Sequence, residues 1–140
     1  MNRREERKHA FCLIFQISFY NDLCEEDLIE ILQLYKESCE VTSSSKNEEF
    51  LLSYFGGVLK NINEIDETIN KSLTGWTLSR LNKVDISLLR LAIYEMKFTN
   101  TPNKVVINEV IEIAKQFSSD DSPRFINGLL ASIASDGETI

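Results

Sequence analysis

The chain has 140 residues, 43% of them hydrophobic, with 15 Lys and Arg against 22 Asp and Glu, giving a formal net charge of −7. That is the size of one domain with enough apolar material for a core without staples, so a single domain over residues 1–140 is expected. The acidic balance excludes indiscriminate coating of nucleic acid, three scattered cysteines (Cys12, Cys24, Cys39) without a CxxC pair point away from a disulfide framework or zinc site, and no apolar run reaches membrane-spanning length. A reduced, cytoplasmic protein without membrane contact is the expectation, and the charged first residues do not read as a secretory leader.

The first helix is expected from about Arg3 to Tyr20, stopping at Asn21-Asp22. Its opening turns, RREERK, concentrate positive charge on an acidic chain. In helical projection Arg3, Arg4, Arg7 and Lys8 fall on one side, Phe11, Phe15 and Ser18 continue that line, and Ala10, Leu13 and Ile17 point toward a core. Cations interleaved with rings suit single-stranded nucleic acid, since cations meet phosphates and rings stack on unpaired bases. The same spacing also fits a plainer reading, in which Phe11, Phe15 and Phe19 are core and the arginines solubilise the start of the chain. Cations oppose the helix dipole at an N-terminus, which favours a functional reason for them. His9 has no nucleophile motif beside it and reads as part of the basic arm.

Asp22 is placed to cap a second helix, with Glu25 reaching back, that ends near Ser38. The Ser-rich stretch from Thr42 to Asn47 is the one internal seam, expected to join two helical subassemblies. Ser45 and Glu48 form a capping-box pattern, after which Leu51, Phe55, Val58, Ile62, Ile65 and Ile69 recur at helical spacing. Gly56-Gly57 inside that run costs about 1 kcal/mol per glycine relative to Ala, a penalty offset if another helix approaches closely. A break near Asn63, with Asp66 capping a separate short helix, is compatible with the pattern.

VDISLLRLAIYEMKF, Val84 to Phe98, is expected to be a core helix capped by Asp85 and burying Leu88, Leu89, Ala92, Ile93 and Met96. Thr101-Pro102 ends it, Val105 to Phe117 forms the next, and Ser122-Pro123 opens a last helix ending near Ile133. About seven helices and no hairpin signal make the fold class all-α, in two packed helical subbundles. Arg124 and Phe125 lie in the first turn of the last helix, either as a phosphate and base site or as a contact locking that helix in place. Asn108 and Asn127 sit in apolar runs and need partners if buried. No GxGxxG, Walker loop, HExxH or GxSxG is present, so neither a catalytic centre nor a bound metal or cofactor is expected.

Three segments together resemble the NusB family of transcription antitermination factors: RREERKHAFCLIFQ, VDISLLRLAIYEM and PNKVVINEVIEIAKQFSSDDSPRFINGLL. The resemblance implies a non-catalytic protein that binds boxA RNA together with NusE, a small-subunit ribosomal protein, and joins elongating RNA polymerase, notably on ribosomal RNA operons. By that likeness Arg3, Arg4, Arg7, Lys8 and Phe15 fall in an RNA-binding arm, to which the helical projection adds Phe11, with Asp121, Arg124 and Phe125 completing the RNA surface. Asp85, Arg90, Tyr94 and Glu95 match the region that faces NusE, and the likeness also admits a homo-oligomer. Glu5 and Glu6 interrupt the basic run, and Cys12 and Phe15 stand where the family commonly has Gln and Tyr, so weaker RNA binding by the isolated chain is expected. The competing function is a helical protein-interaction module with no RNA role.

Overall fold

The computed structural model describes residues 1–74 and 78–138. Seven α-helices form there: α1 (Arg3–Ile17), α2 (Leu28–Ser38), α3 (Ser45–Lys60), α4 (Ile62–Ser72), α5 (Lys83–Phe98), α6 (Asn103–Phe117) and α7 (Ser122–Glu138). One-turn 3-10 helices at Glu25–Asp27 and Leu78–Arg80 precede α2 and α5.

The helix boundaries follow from where side chains can satisfy free backbone amides, and several differ from the sequence reading by a few residues. Asn2 caps α1 by accepting from the Glu5 amide at 2.9 Å, and the helix ends at Ile17 rather than Tyr20. Asp22 does not cap the second helix; Asp27 instead accepts from the Cys24 amide at 3.0 Å, closing the turn that leads into α2. Glu40, just past α2, takes the left-handed φ of 51°, and the Val41 amide reaches back to the Lys36 carbonyl at 2.9 Å, the bond that closes a Schellman end. Ser44, not Ser45, caps α3, with Asn47 returning a bond to the Ser44 amide at 3.0 Å. Glu48 is thereby free to pair with Lys36 of α2.

The Ser-rich stretch therefore lies inside the first bundle, where α1 and α2 both pack on α3. The division falls instead at Asn61, between α3 and α4, where the Asn61 side chain donates to the Gly57 carbonyl at 2.8 Å. Asp66 caps nothing: it lies within α4 and receives the Arg90 guanidinium. Asn82, not Asp85, caps α5, accepting from the Asp85 amide at 2.7 Å. The last helix opens at Ser122, as expected, but continues to Glu138.

Helix α5 is the axis of the fold. Every residue from Asp85 to Glu95 is buried, and α1, α3, α4, α6 and α7 all pack against it. Such a helix must be largely apolar on every face, which the run Leu88, Leu89, Leu91, Ala92 and Ile93 supplies. Its buried residues join those of the other six helices in one hydrophobic cluster. Asn108 and Asn127, expected to need buried partners, are exposed on α6 and α7.

Gly56 and Gly57 mark close approaches by two different helices. Leu28 of α2 comes to 3.2 Å of a Cβ placed on Gly56, whereas the Tyr94 ring of α5 would stand 2.2 Å from one on Gly57. Gly57→Ala is therefore expected to lose roughly 1–3 kcal/mol in urea denaturation despite alanine's better helix propensity, because the overpacked ring must move. Gly56→Ala should change stability far less. Equal effects of the two substitutions would contradict this assignment.

Candidate nucleic-acid interface

Side chains at three- and four-residue spacing divide α1 into two lines with different fates. Arg7, Ala10, Ile14 and Ile17 turn inward and are buried. Arg7 is 7% exposed and meets Glu95, which is 0% exposed, in a bidentate pair with Nε–Oε1 at 2.9 Å and Nη2–Oε2 at 2.7 Å. The bond to Glu95 raises the Arg7 pKa, and burial, followed by the charge of Glu95, raises that of the Tyr54 hydroxyl. The expectation that Arg7 meets phosphate is thus corrected: its guanidinium is spent inside the protein, where an unpaired charge is prohibitively costly.

The second line is Arg4, Lys8, Phe11, Phe15 and Phe19, running beside the end of α6. Phe11 is buried and serves as a base, its ring 5.5 Å from that of Phe117 and 6.4 Å from that of Phe15. Phe15 is half-buried and stacks edgewise on Phe19 at 5.1 Å, while Phe19 and Phe117 are 58% and 41% exposed. Lys8 sits 5.7 Å over the Phe117 ring and Lys83, from the start of α5, 4.4 Å over Phe19. Partly exposed rings with ammonium groups at both ends offer the chemistry that stacked bases and phosphates require. The plainer reading of the phenylalanines as core therefore holds for Phe11 and fails for Phe19.

Other arm residues are already engaged. Arg4 is held bidentately by Glu109 of α6, Nε–Oε2 at 2.9 Å and Nη2–Oε1 at 3.0 Å, and this bond holds the Glu109 carboxyl below its usual range. Arg3 leans the other way, over the Phe50 ring of α3 at 4.5 Å. The four cations do not share one stripe, because adjacent positions such as Arg3 and Arg4 diverge around the helix. His9 leaves the basic arm too: burial lowers its pKa, and Nδ1 lies 2.6 Å from the Tyr35 hydroxyl.

Asp121 and Phe125 line a cavity of about 290 Å³ at the junction of α5, α6 and α7, with Arg80 on its wall. Arg124 is exposed beside it. Asp85 forms the floor, accepting from Ser118 Oγ at 2.7 Å and Ser122 Oγ at 3.0 Å. The residues expected to face NusE are corrected as a group, since Asp85, Arg90, Tyr94 and Glu95 are all buried. Arg90 pairs with Asp66, Glu95 with Arg7, and the Tyr94 ring packs between Tyr54 and Phe98. Their polarity serves the interior because α5 is surrounded. Among the described residues no group of three His, Cys, Asp or Glu side chains is placed to hold a metal, and no helix is long and apolar enough to cross a membrane.

Sequence reasoning passed over Phe117, Phe19 and Lys83 as site residues. Phe117 closes an amphipathic run and reads as ordinary core; Lys83 is remote from α1 in sequence. Only contacts in space join them to α1: Phe117 through Phe11 and Lys8, and Lys83 through Phe19.

The fold is an all-helical bundle with a ridge of rings and cations on one face. Residues 4–135 match the NusB family, and the chain belongs to that family. A Transcription antitermination protein NusB from Clostridium novyi (strain NT) is 38% identical over 95% of this chain and 98% of its own length. A solved T. maritima NusB superposes with a TM-score of 0.83 at 36% identity, covering 96% of this chain and 92% of that one. A crystal structure of antitermination factors NusB and NusE in complex with double-stranded RNA shares the fold, with a TM-score of 0.82 at 21% identity over 96% of each chain.

Two outcomes follow from the paired arginines. Glu95→Ala should lose roughly 3–5 kcal/mol by stranding the Arg7 charge, whereas joining Arg7→Met to Glu95→Leu should restore most of that loss, as chemical denaturation would read. Glu109→Gln should release Arg4, and RNA affinity should rise with a salt slope steeper by about 0.7, the increment of one phosphate contact. An unchanged slope in fluorescence anisotropy would show that Arg4 gains nothing by release.

Proposed function

We propose that this chain is a non-catalytic transcription antitermination adaptor that binds single-stranded boxA-type RNA jointly with NusE and carries it to elongating RNA polymerase in the cytoplasm, notably on ribosomal RNA operons. The observation that carries the reading is the line of phenylalanines on α1 and α6 with Lys8 over one end and Lys83 over the other. An ammonium held over a half-exposed ring keeps its charge, and a strand of stacked bases and phosphates needs both rings and cations beside it. The crystallised pairing of a related fold with NusE and double-stranded RNA supports the choice of partner and of RNA as the class of ligand.

In this reading Lys8, Arg3 and Arg124 meet phosphates, Phe15 and Phe125 stack bases, and Asp121 accepts from base amino groups. Asp85, Arg90, Tyr94 and Glu95 act on NusE binding from inside, by fixing α4, α6 and α7 around α5. The overall charge of −7 keeps unassisted RNA binding modest, so recruitment depends on the partner.

Anisotropy titrations with a short boxA-type RNA at several salt concentrations test this. Three to four phosphate contacts on a single strand predict a slope of log K against log[salt] of about −2 to −3, and Phe15→Ala should lose about 1–3 kcal/mol of binding, the worth of one stacked base. NusE should strengthen binding at least about tenfold, by adding contacts without a second full loss of rigid-body freedom. A flat salt response would favour a protein-interaction module instead, equal affinity with and without NusE would remove the joint mechanism, and preference for the annealed duplex would remove stacking.

A further inference from the structure

One flank of α2 and the segment that precedes it enclose an apolar groove. On the helix and its cap, Asp27, Glu30, Ile31 and Leu34 are related by three- and four-residue steps and so share that flank. With Tyr20, Asp22 and Leu23 they line a cavity of about 270 Å³. Ile31 is buried and Leu23 half-buried, whereas Tyr20 and Leu34 are 48% and 54% exposed. Single exposed apolar side chains are ordinary; here two of them meet in one concavity with two further aliphatic residues.

The charge around the groove has one sign. Asp22, Asp27 and Glu30 line it, and no Lys or Arg does. Asp27 accepts from the Cys24 amide at 3.0 Å and from its thiol at 3.2 Å, bonds that hold its carboxyl below the usual range. Asp22 and Glu30 enter none of the ion pairs among the described residues. Carboxylates at the start of α2 suit the helix dipole, which accounts for Asp27 and Glu30. It accounts neither for Asp22, on the preceding segment, nor for the apolar surface held in the same concavity.

This chemistry selects the occupant. Three carboxylates without a cation repel phosphates, so an RNA strand that stacks along Phe15 and Phe19 stops short of Tyr20. A second copy of the chain brings a net charge of −7, and Arg4 and Arg7 of its arm are already held by carboxylates. The volume suits one long side chain rather than a small-molecule ligand, whose pockets run from roughly 300 to 1,000 Å³. An arginine meets every feature: its aliphatic stem covers Leu23 and Leu34, its planar head stacks on Tyr20, and its N–H groups donate to carboxylates.

We propose that this groove docks a basic segment of a protein partner by receiving one of its arginine side chains. The surface is distinct from the ridge of phenylalanines and from α4, α6 and α7, through which NusE binding is proposed to act, and it stands whether or not the ridge binds RNA. Its acidic rim begins at the residue after Phe19, so a basic protein docked there would lie beside any strand on the ridge and attract it.

The test is an NMR titration of the full chain, carried out on the Leu23, Ile31 and Leu34 methyl signals. The probe is a blocked nine-residue peptide alternating arginine and leucine, and its lysine counterpart and a short boxA-type RNA are titrated in parallel. The arginine peptide should shift these methyls saturably and the lysine peptide should bind more weakly. Joining Asp22→Asn to Glu30→Gln should weaken binding about three- to tenfold. Leu34→Ala, an exposed change that keeps the charge, should weaken it by a similar factor. Glu37→Gln, which removes one carboxylate of α2 outside the groove, should change it less than about twofold. Equal losses in the Glu37 and the Asp22/Glu30 variants would reduce the effect to general attraction by an acidic chain and overturn the site, as would an unchanged affinity in the Leu34 variant. Shifts of the same methyls with RNA would place the groove on the strand's path, and shifts that follow protein concentration without any peptide would make it a contact between copies. Either result would overturn the basic partner.

Discussion

The buried pair of Arg7 and Glu95 is the interaction on which the arrangement of the functional face depends. Glu95 is fully enclosed on the central helix, and Arg7, one residue before Lys8 and one turn before Phe11, lies in the line that faces the core. A bidentate guanidinium–carboxylate pair tolerates little rotation or sliding, so it fixes the register of α1 on α5. A hydrophobic pair of similar volume would match its net stability, which makes geometry the more defensible role for the charges. With Arg7 fixed inward, the four-residue spacing of the helix obliges Lys8, Phe15 and Phe19 to emerge beside α6 and the start of α5.

The acidic composition is then compatible with a basic face, because the carboxylates are used selectively. Arg3 has Glu6 at 3.5 Å, Arg4 has Glu109, Arg7 has Glu95 and Arg90 has Asp66. Lys8 and Lys83 rest on phenylalanine rings instead. A ring attracts a cation without neutralising it, so these two remain available to phosphate, whereas Arg4 and Arg7 are held bidentately by carboxylates. Glu5 and Glu6 within the arm fit the same pattern: Glu6 is buried, receiving the Asn47 side chain at 3.0 Å, and so helps bind α1 to α3.

A second junction completes the scaffold. Asp85 sits at the start of α5 and gathers the hydroxyls of Ser118 and Ser122, fixing the turn between α6 and α7. Phe117 ends α6 just before that turn and Phe125 follows just after it, so a single buried carboxylate orients aromatic residues on both sides. Removing it would take the acceptor from the Ser118 and Ser122 hydroxyls and the Asn82 side-chain amide together, which is why its effect reaches beyond its own side chain.

The sequence by itself determined the helical class, the number of helices and the central place of the Val84–Phe98 segment, because apolar spacing and Pro, Ser and Asn punctuation are local signals that tertiary contacts here reinforce. It also singled out the arm and the α7 start, where the structure sets cations over rings on the one and Asp85, Asp121 and Phe125 around a cavity at the other. It placed caps one to three residues away at Ser45 and Asp85, since neighbouring Ser, Asn and Asp side chains compete for the same amides and only the packed helix decides which prevails. Whether a cation is free was decided by tertiary structure alone. Arg4, Arg7 and Lys8 look alike in sequence, yet residues 88 to 109 positions distant along the chain, Glu95, Glu109 and Phe117, give them three different fates. Helical projection shows which residues share a face but not which partner that face will meet, and in a low-dielectric interior the partner fixes what the charge can do.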